Sequence, residues 1–247
     1  MEMSLGSKRR WSTAVVGLAV LATTGCSGEK VTTKSSSELS RYQIRTMALV
    51  PLTALTSPQM RELGDPFFSA PQSVRRSDIA VAVPSNAEPP PRETFKVPGY
   101  EAEKITQLFW NRLRAREGFT VLAPSESTKA SFGNAELAKA TPETAGAAIA
   151  KRLNADAAFI GQVLVFQERV GSRLGANPPA AVGFEVKVIS ADGTVLWVGN
   201  YYERQRPMTE DMMGFLQRWG AFVTAEELAQ YGVDELLKEF PFGSSTK

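Results

Sequence analysis

Residues 156–168 read DAAFIGQVLVFQE, and this stretch decides the fold. Its apolar residues occupy both phases of a two-residue alternation, the pattern of a strand covered on both faces. A buried central strand is therefore expected over Asp156–Glu168, with helices packed against its sheet. Immediately upstream, Thr141-Pro142-Glu143-Thr144 supplies a threonine cap, a proline at the first helical position and an early acid that complements the helix dipole. The helix it opens carries Ala145, Ala148, Ile149 and Leu153, a small-residue face suited to close packing on a sheet. Downstream, Ser172–Ala181 (SRLGANPPAA) breaks the strand. Val182–Ile189 (VGFEVKVI) then alternates cleanly, Asp192-Gly193 provides a hairpin turn, and Thr194–Tyr202 returns as the partner strand.

Further outward, Arg45–Leu52 (RTMALVPL) is apolar enough for a central strand and closes near Pro51. Thr53–Gly99 is a long insertion carrying Pro58, Pro66, Pro71, Pro84, Pro89, Pro90, Pro91 and Pro98, with one strand-like run at Asp78–Val83. Glu101–Glu117 is expected to be helical, with Ile105, Phe109 and Leu113 in one stripe. Leu108 and Trp110 fall on opposite flanks of that stripe, so at least one is expected to meet a second surface. Phe119–Ala123 reads as a short strand. Thr209–Trp219 reads as a helix stopped by Gly220, and Thr224-Ala225-Glu226-Glu227 as a capping box opening a last helix that ends before Pro241. Gly232 is expected to kink or split that helix. The fold class is α/β: a central mixed β-sheet flanked by helices, with an antiparallel hairpin and C-terminal helices. The expected organisation is a signal peptide at 1–25, a serine-rich flexible tether at 26–43, one globular domain at 44–241 with the Pro-rich insertion at 53–99, and a disordered tail at 242–247.

Composition removes whole classes of chemistry. The 247 residues include no histidine, so Ser-His-Asp triads, Cys-His dyads and histidine-ligated zinc sites lack their central residue. A single cysteine excludes an internal disulfide and a CxxC pair. GxGxxG, GxxxxGK[ST] and GxSxG do not occur, and the one SxxK, at Ser244–Lys247, sits at the chain end, where no dyad can be preorganised. No catalytic residue, metal ligand or cofactor is expected. Asp156 and Asp192 are the best-placed carboxylates, at a strand entry and a hairpin turn, where aspartate is favoured for backbone hydrogen bonding alone.

The amino end is an address. Lys8, Arg9 and Arg10 precede the apolar run Ala14–Ala22 (AVVGLAVLA), and small residues lead to Gly25 and Cys26, the layout of a signal peptide. The run is short of the ~20 residues that a spanning helix needs. Leu21-Ala22-Thr23-Thr24-Gly25-Cys26 resembles the lipobox of bacterial lipoproteins, with Thr23 where an aliphatic residue is usual. The resemblance implies that Cys26 becomes the lipidated, palmitate-bearing first residue, and Ser27 after it implies outer-membrane residence facing the periplasm. Removing Lys8, Arg9, Arg10 and Glu2 with the first 25 residues takes the 28 basic and 26 acidic side chains to 25 each. A neutral mature chain carries no electrostatic footprint for nucleic acid.

Pro207–Phe222 (PMTEDMMGFLQRWGAF) places Met212, Phe215, Leu216 and Trp219 on one helical face. Such a stripe is either core or an adaptable partner or membrane surface, since methionine and aromatic side chains repack readily. With Trp110 these are the candidate partner-binding residues. Arg112, Arg114 and Arg116 are read as a solvated helix end that complements the dipole.

Three phrases, Arg45–Leu52 (RTMALVPL), Ala150–Gly161 (AKRLNADAAFIG) and Gly193–Trp197 (GTVLW), resemble the envelope lipoproteins grouped around the curli-secretion lipoprotein, the lipoprotein activator of penicillin-binding proteins and the TolB N-terminal domain. The resemblance spans roughly residues 45–202 and supplies no catalytic residues. It implies a lipid-anchored, non-catalytic protein that binds or assembles envelope partners, either an export apparatus or cell-wall synthesis machinery, with homo-oligomerisation open. The alternatives are a subunit of an oligomeric secretion ring and a carboxylate-based envelope hydrolase. A membrane pore is disfavoured, because Ser172–Ala181 is too short for spanning strands and the 53–99 insertion is too rich in proline.

Overall fold

The structure is a computed structural model that describes residues 30–60, 94–218 and 220–245. Seven strands form its main sheet: β1 (Val31–Ser35), β2 (Thr46–Leu49), β3 (Thr53–Ala54), β4 (Thr120–Leu122), β5 (Ala157–Gln167), β6 (Ala181–Ser190) and β7 (Val195–Arg204). The spatial order is β1-β7-β6-β5-β2-β4, with β3 also alongside β5. β2 runs parallel to both β4 and β5, whereas β5, β6, β7 and β1 pair antiparallel in succession. The fold is thus α/β with an open mixed sheet, as the alternation in 156–202 requires.

Helices cover both faces: α1 (Gly99–Leu113), α2 (Pro124–Ser131), α3 (Ala135–Lys139), α4 (Pro142–Arg152), α5 (Met212–Gln217) and α6 (Ala225–Lys238). The two-sided apolar character of β5 accounts for this. Ala157, Phe159 and Val163 point into a large core under α1 and α6, while Ala158 and Ile160 point into a smaller one under α4. Phe109 of α1 meets Phe159 and Phe184 at ring-centroid distances of 5.0 and 5.5 Å. On the other face the contact is closer: a Cβ on Gly146 would come within 2.8 Å of Ile160 Cγ2. The Thr141 hydroxyl accepts from the Thr144 N–H as the α4 cap, and Thr224 and Glu227 form the reciprocal box of α6.

Several expectations are corrected. Within the stretch read as a tether, Val31–Ser35 is an edge strand registered from Val31↔Tyr201 to Ser35↔Trp197, and Leu39–Arg41 is a 3-10 turn. An edge strand needs only backbone pairing on one side, so serine-rich, polar composition does not forbid it. The carboxyl-terminal segment read as a disordered tail buries Phe242, and Ser244–Ser245 pairs with Arg116–Glu117. Its clamp is Arg116, expected to be solvated, whose guanidinium donates to the carbonyls of Leu237, Phe240, Phe242 and Gly243. Burial holds the Arg116 pKa below its usual value. Gly232 neither kinks nor splits α6; it lies buried against the Tyr201 ring. Within the 53–99 insertion, Gln59–Met60 pairs antiparallel with Thr94–Phe95. The signal peptide, Cys26, the Asp78–Val83 run and Trp219 lie outside the described residues.

Candidate docking surface

One end of the sheet carries structure that the core does not need. β5 ends there, β6 begins there, and after β7 the chain leaves for residues 205–223 before returning as α6. The inward phase of β7, Trp197, Gly199 and Tyr201, continues into Glu203 and Gln205, so two polar side chains are buried at this end. Gln205 bridges the departing and returning chain: its amide donates to the Ala221 carbonyl at 2.6 Å and its carbonyl oxygen accepts from the Val223 N–H at 2.8 Å.

Glu203 is the hub of a buried ionic cluster. It pairs with Arg218, accepts from the Tyr201 hydroxyl at 2.7 Å, and meets Lys30 Nζ at 3.2 Å. Burial first, and the charge of Glu203 second, push the Tyr201 phenol far above its usual pKa, so it remains a donor. Arg218 donates to the Gly214 carbonyl at 3.1 Å and lies over the Tyr231 ring at 4.9 Å, tying α5 to α6. Asp211 caps α5 by accepting from the Gly214 N–H at 2.8 Å, and Lys30 Nζ approaches its other oxygen at 3.9 Å.

On that base sits an apolar surface. Met208, Met212, Met213 and Leu216 are 52%, 58%, 65% and 56% exposed. Phe215 is half-buried, its ring 5.6 Å from that of Phe222. The Phe222 N–H donates to the Arg173 carbonyl at 2.8 Å, which places the Gly171–Ala176 hairpin beside α5. The tip of that hairpin, Leu174, is almost wholly exposed. Sequence periodicity found Met212, Phe215 and Leu216 but missed Met208, Met213 and Leu174, which lie off the stripe. Of the anchoring cluster only Glu203 carried a signal, because a glutamate in the inward phase of a strand requires a buried partner, and nothing local named Arg218 or Lys30 as that partner.

Trp110 is a separate place. It is half-buried at the rim of the α1–α6 core, as is Leu108, and the Arg114 guanidinium lies 5.8 Å from its ring. Among the described residues no hydrogen bond or ring contact joins it to α5. Arg112, also expected to be solvated, makes a two-pronged bond to Asp234 at 2.6 and 3.2 Å, which raises its pKa. On the other flank of α1 from Trp110, a shallow groove of about 460 Å³ runs between α1 and α6, lined by Tyr100, Glu103, Lys104, Gln107, Leu108 and Glu226.

The two carboxylates singled out from sequence act on backbone. Asp156 accepts from the N–H groups of Arg45 and Thr46, both at 2.8 Å, and so joins β2 to β5. Asp192 accepts from the Thr194 N–H at 2.9 Å inside its turn. No group of three potential metal ligands occurs among the described residues, and no helix there is long and apolar enough to cross a membrane.

No family model matches the chain, and no curated protein does. Solved structures similar to it include the PelC dodecamer from Paraburkholderia phytofirmans, 13% identical, covering 84% of this chain and 93% of that one at a TM-score of 0.38. Lipoprotein GNA1162 from Neisseria meningitidis is 12% identical, covering 65% of this chain and 83% of that one at 0.37. The LpoB C-terminal domain from Escherichia coli is 11% identical, covering 68% and 93% at 0.34.

Proposed function

We propose that this chain is a lipid-anchored, non-catalytic protein of the bacterial cell envelope that binds or assembles envelope partners, held on the outer membrane through Cys26 and facing the periplasm. The observation that carries the binding role is the α5 end. An apolar helix is held out from a finished core by a buried ionic cluster, an arrangement with no packing purpose of its own. The candidate contacts are Met212, Phe215 and Leu216, with Trp219 next to them in sequence, and Trp110 at the rim of the α1–α6 core. Export machinery and cell-wall synthesis enzymes are the partner classes.

The test is twofold. Cys26→Ala is expected to leave the chain unprocessed or to release it from membranes; a variant that stays processed and membrane-bound removes the anchor. A photo-crosslinking residue at Gln107 or Met213, activated in intact envelopes, is expected to trap one defined component; a chain that crosslinks to nothing at either position removes the binding role.

A second reading, subunit of an oligomeric ring, draws support from β1. Its outer edge pairs with nothing among the described residues, and an open edge is a template for another strand. Native mass spectrometry of the mature chain separates the two: a closed homo-oligomer favours the ring, a monomer the adaptor. The hydrolase alternative needs converging acids, whereas Asp156 and Asp192 are each engaged by backbone N–H groups.

A further inference from the structure

Lys30 joins two facts that sequence alone keeps apart. It is four residues past Cys26, and its ammonium group sits against Glu203 and Asp211, the latter the capping residue of α5. Because β1 begins at Val31, the leash between a lipidated cysteine and the folded domain is not the long tether expected from composition. A chain spans at most ~3.6 Å per residue, so the Cys26 backbone lies within ~14 Å of Lys30. β1 enters the sheet beside Tyr201 and runs away from this end towards Trp197. The opposite end of the sheet, where Asp192-Gly193 turns, stands ~30 Å further off at ~3.3 Å per residue along β7. A bilayer holding the Cys26 lipid therefore faces the α5 end of the sheet and not the Asp192-Gly193 end.

That end has the chemistry of an interfacial contact. Met212, Met213 and Leu216 are uncharged and exposed, with Leu174 on the neighbouring hairpin. Asp211 and Arg218, which flank Met212 and Leu216, are turned inward into ion pairs with Lys30 and Glu203, while Glu210, and Arg173 beside Leu174, stay exposed. Resting on the anchor reading above, we infer that the α5 end is a second membrane contact: Met212, Met213, Leu216 and Leu174 lie in the boundary between headgroups and acyl chains of the bilayer that holds Cys26. One lipid chain or a small apolar patch alone binds reversibly, and the two together fix orientation as well as location. A bilayer at α5 takes over the contact role proposed above for Met212 and Leu216, and the α1–α6 groove is then the surface left for protein partners.

The single cysteine allows a direct test. The mature chain is coupled through Cys26 to a maleimide-headgroup lipid in phosphatidylethanolamine–phosphatidylglycerol vesicles, and its amide hydrogen exchange is compared with that of the same chain capped by a soluble maleimide. Exchange at 208–217 and 171–176 is expected to slow several-fold on vesicles while 99–113 is unchanged. Met212→Asp combined with Leu216→Asp is expected to abolish the slowing without affecting coupling. Equal exchange on and off vesicles overturns the inference, and so does a crosslink from Met213 in intact envelopes to a protein instead of lipid. Here the maleimide supplies the anchor, so this failure is distinct from failure of the anchor reading. The latter is read from the mass of the chain purified from membranes: no lipid on Cys26 removes both.

Discussion

Glu203 and Arg218 form an ion pair almost closed to water, with side chains only 4% and 3% exposed. Breaking such a pair by removing one partner costs about 3–5 kcal/mol, because the other charge stays buried. Lys30 and the Tyr201 hydroxyl still reach Glu203 when Arg218 is lost. Arg218→Ala is therefore expected at the lower end, about 3 kcal/mol, read from the urea midpoint. Lys30→Ala removes a more exposed partner and should cost no more than about 1 kcal/mol. Equal losses would show that Lys30 is as strong a partner of Glu203 as Arg218 is.

Gly232→Ala is a test in which two rules oppose each other. Helix propensity alone favours alanine over glycine by about 1 kcal/mol. An added Cβ, however, would sit 2.3 Å from Tyr201 Cε1 and 2.4 Å from Cδ1. The ring cannot retreat, because its hydroxyl is bonded to Glu203 and its other side packs on Phe184 at 5.2 Å. Overpacking of this kind costs about 1–3 kcal/mol, so the variant is expected to melt at a lower temperature than the parent. A higher melting temperature would show that the α6–β7 contact can open.

The same glycine shows what a sequence conveys and what it leaves out. Periodicity located β5, the β6–β7 hairpin, α1, α4 and α6, because burial imposes a repeat of two or 3.6 on those segments. The reason for Gly232 is a ring on a distant strand, which no local pattern records. β1 was hidden for the opposite cause: it is polar and takes its place from backbone pairing with β7. α2 and α3 were missed because neither presents a long apolar stripe; of α2 only Ser127 is fully buried. Of the candidate site, the Met212, Phe215 and Leu216 stripe was legible, whereas its attachment through Lys30, Glu203 and Arg218 spans most of the chain.

Asp192 predicts an acid-sensitive turn. Its carboxylate accepts from the Ser190 hydroxyl, from the Thr194 N–H at 2.9 Å and from the Tyr42 hydroxyl at 2.9 Å, and these bonds hold its pKa below the ordinary aspartate value. A depressed folded-state pKa contributes stability that is fully present above the unfolded pKa, about 3.9, and is lost as pH falls through the folded value. Asp192→Asn is expected to lower stability at neutral pH and to flatten the acid limb of the profile below about pH 4, where the parent is losing the same contribution. An acid limb identical to the parent's would assign that limb to other carboxylates.

The surface of α5 should be dispensable for folding, and this separates adhesion from architecture. Met212, Met213 and Leu216 leave more than half of each side chain in solvent, so a serine at any of them removes little buried area and is expected to change stability by no more than about 0.5 kcal/mol. Phe215→Ser differs: it deletes the ring packed on Phe222 and loosens the base on which the helix stands, with an expected loss of about 2 kcal/mol or more. Thermal melts of the four variants check the contrast. If the three exposed positions proved as costly as Phe215, α5 would belong to the core, and its apolar face would need neither membrane nor partner to explain it.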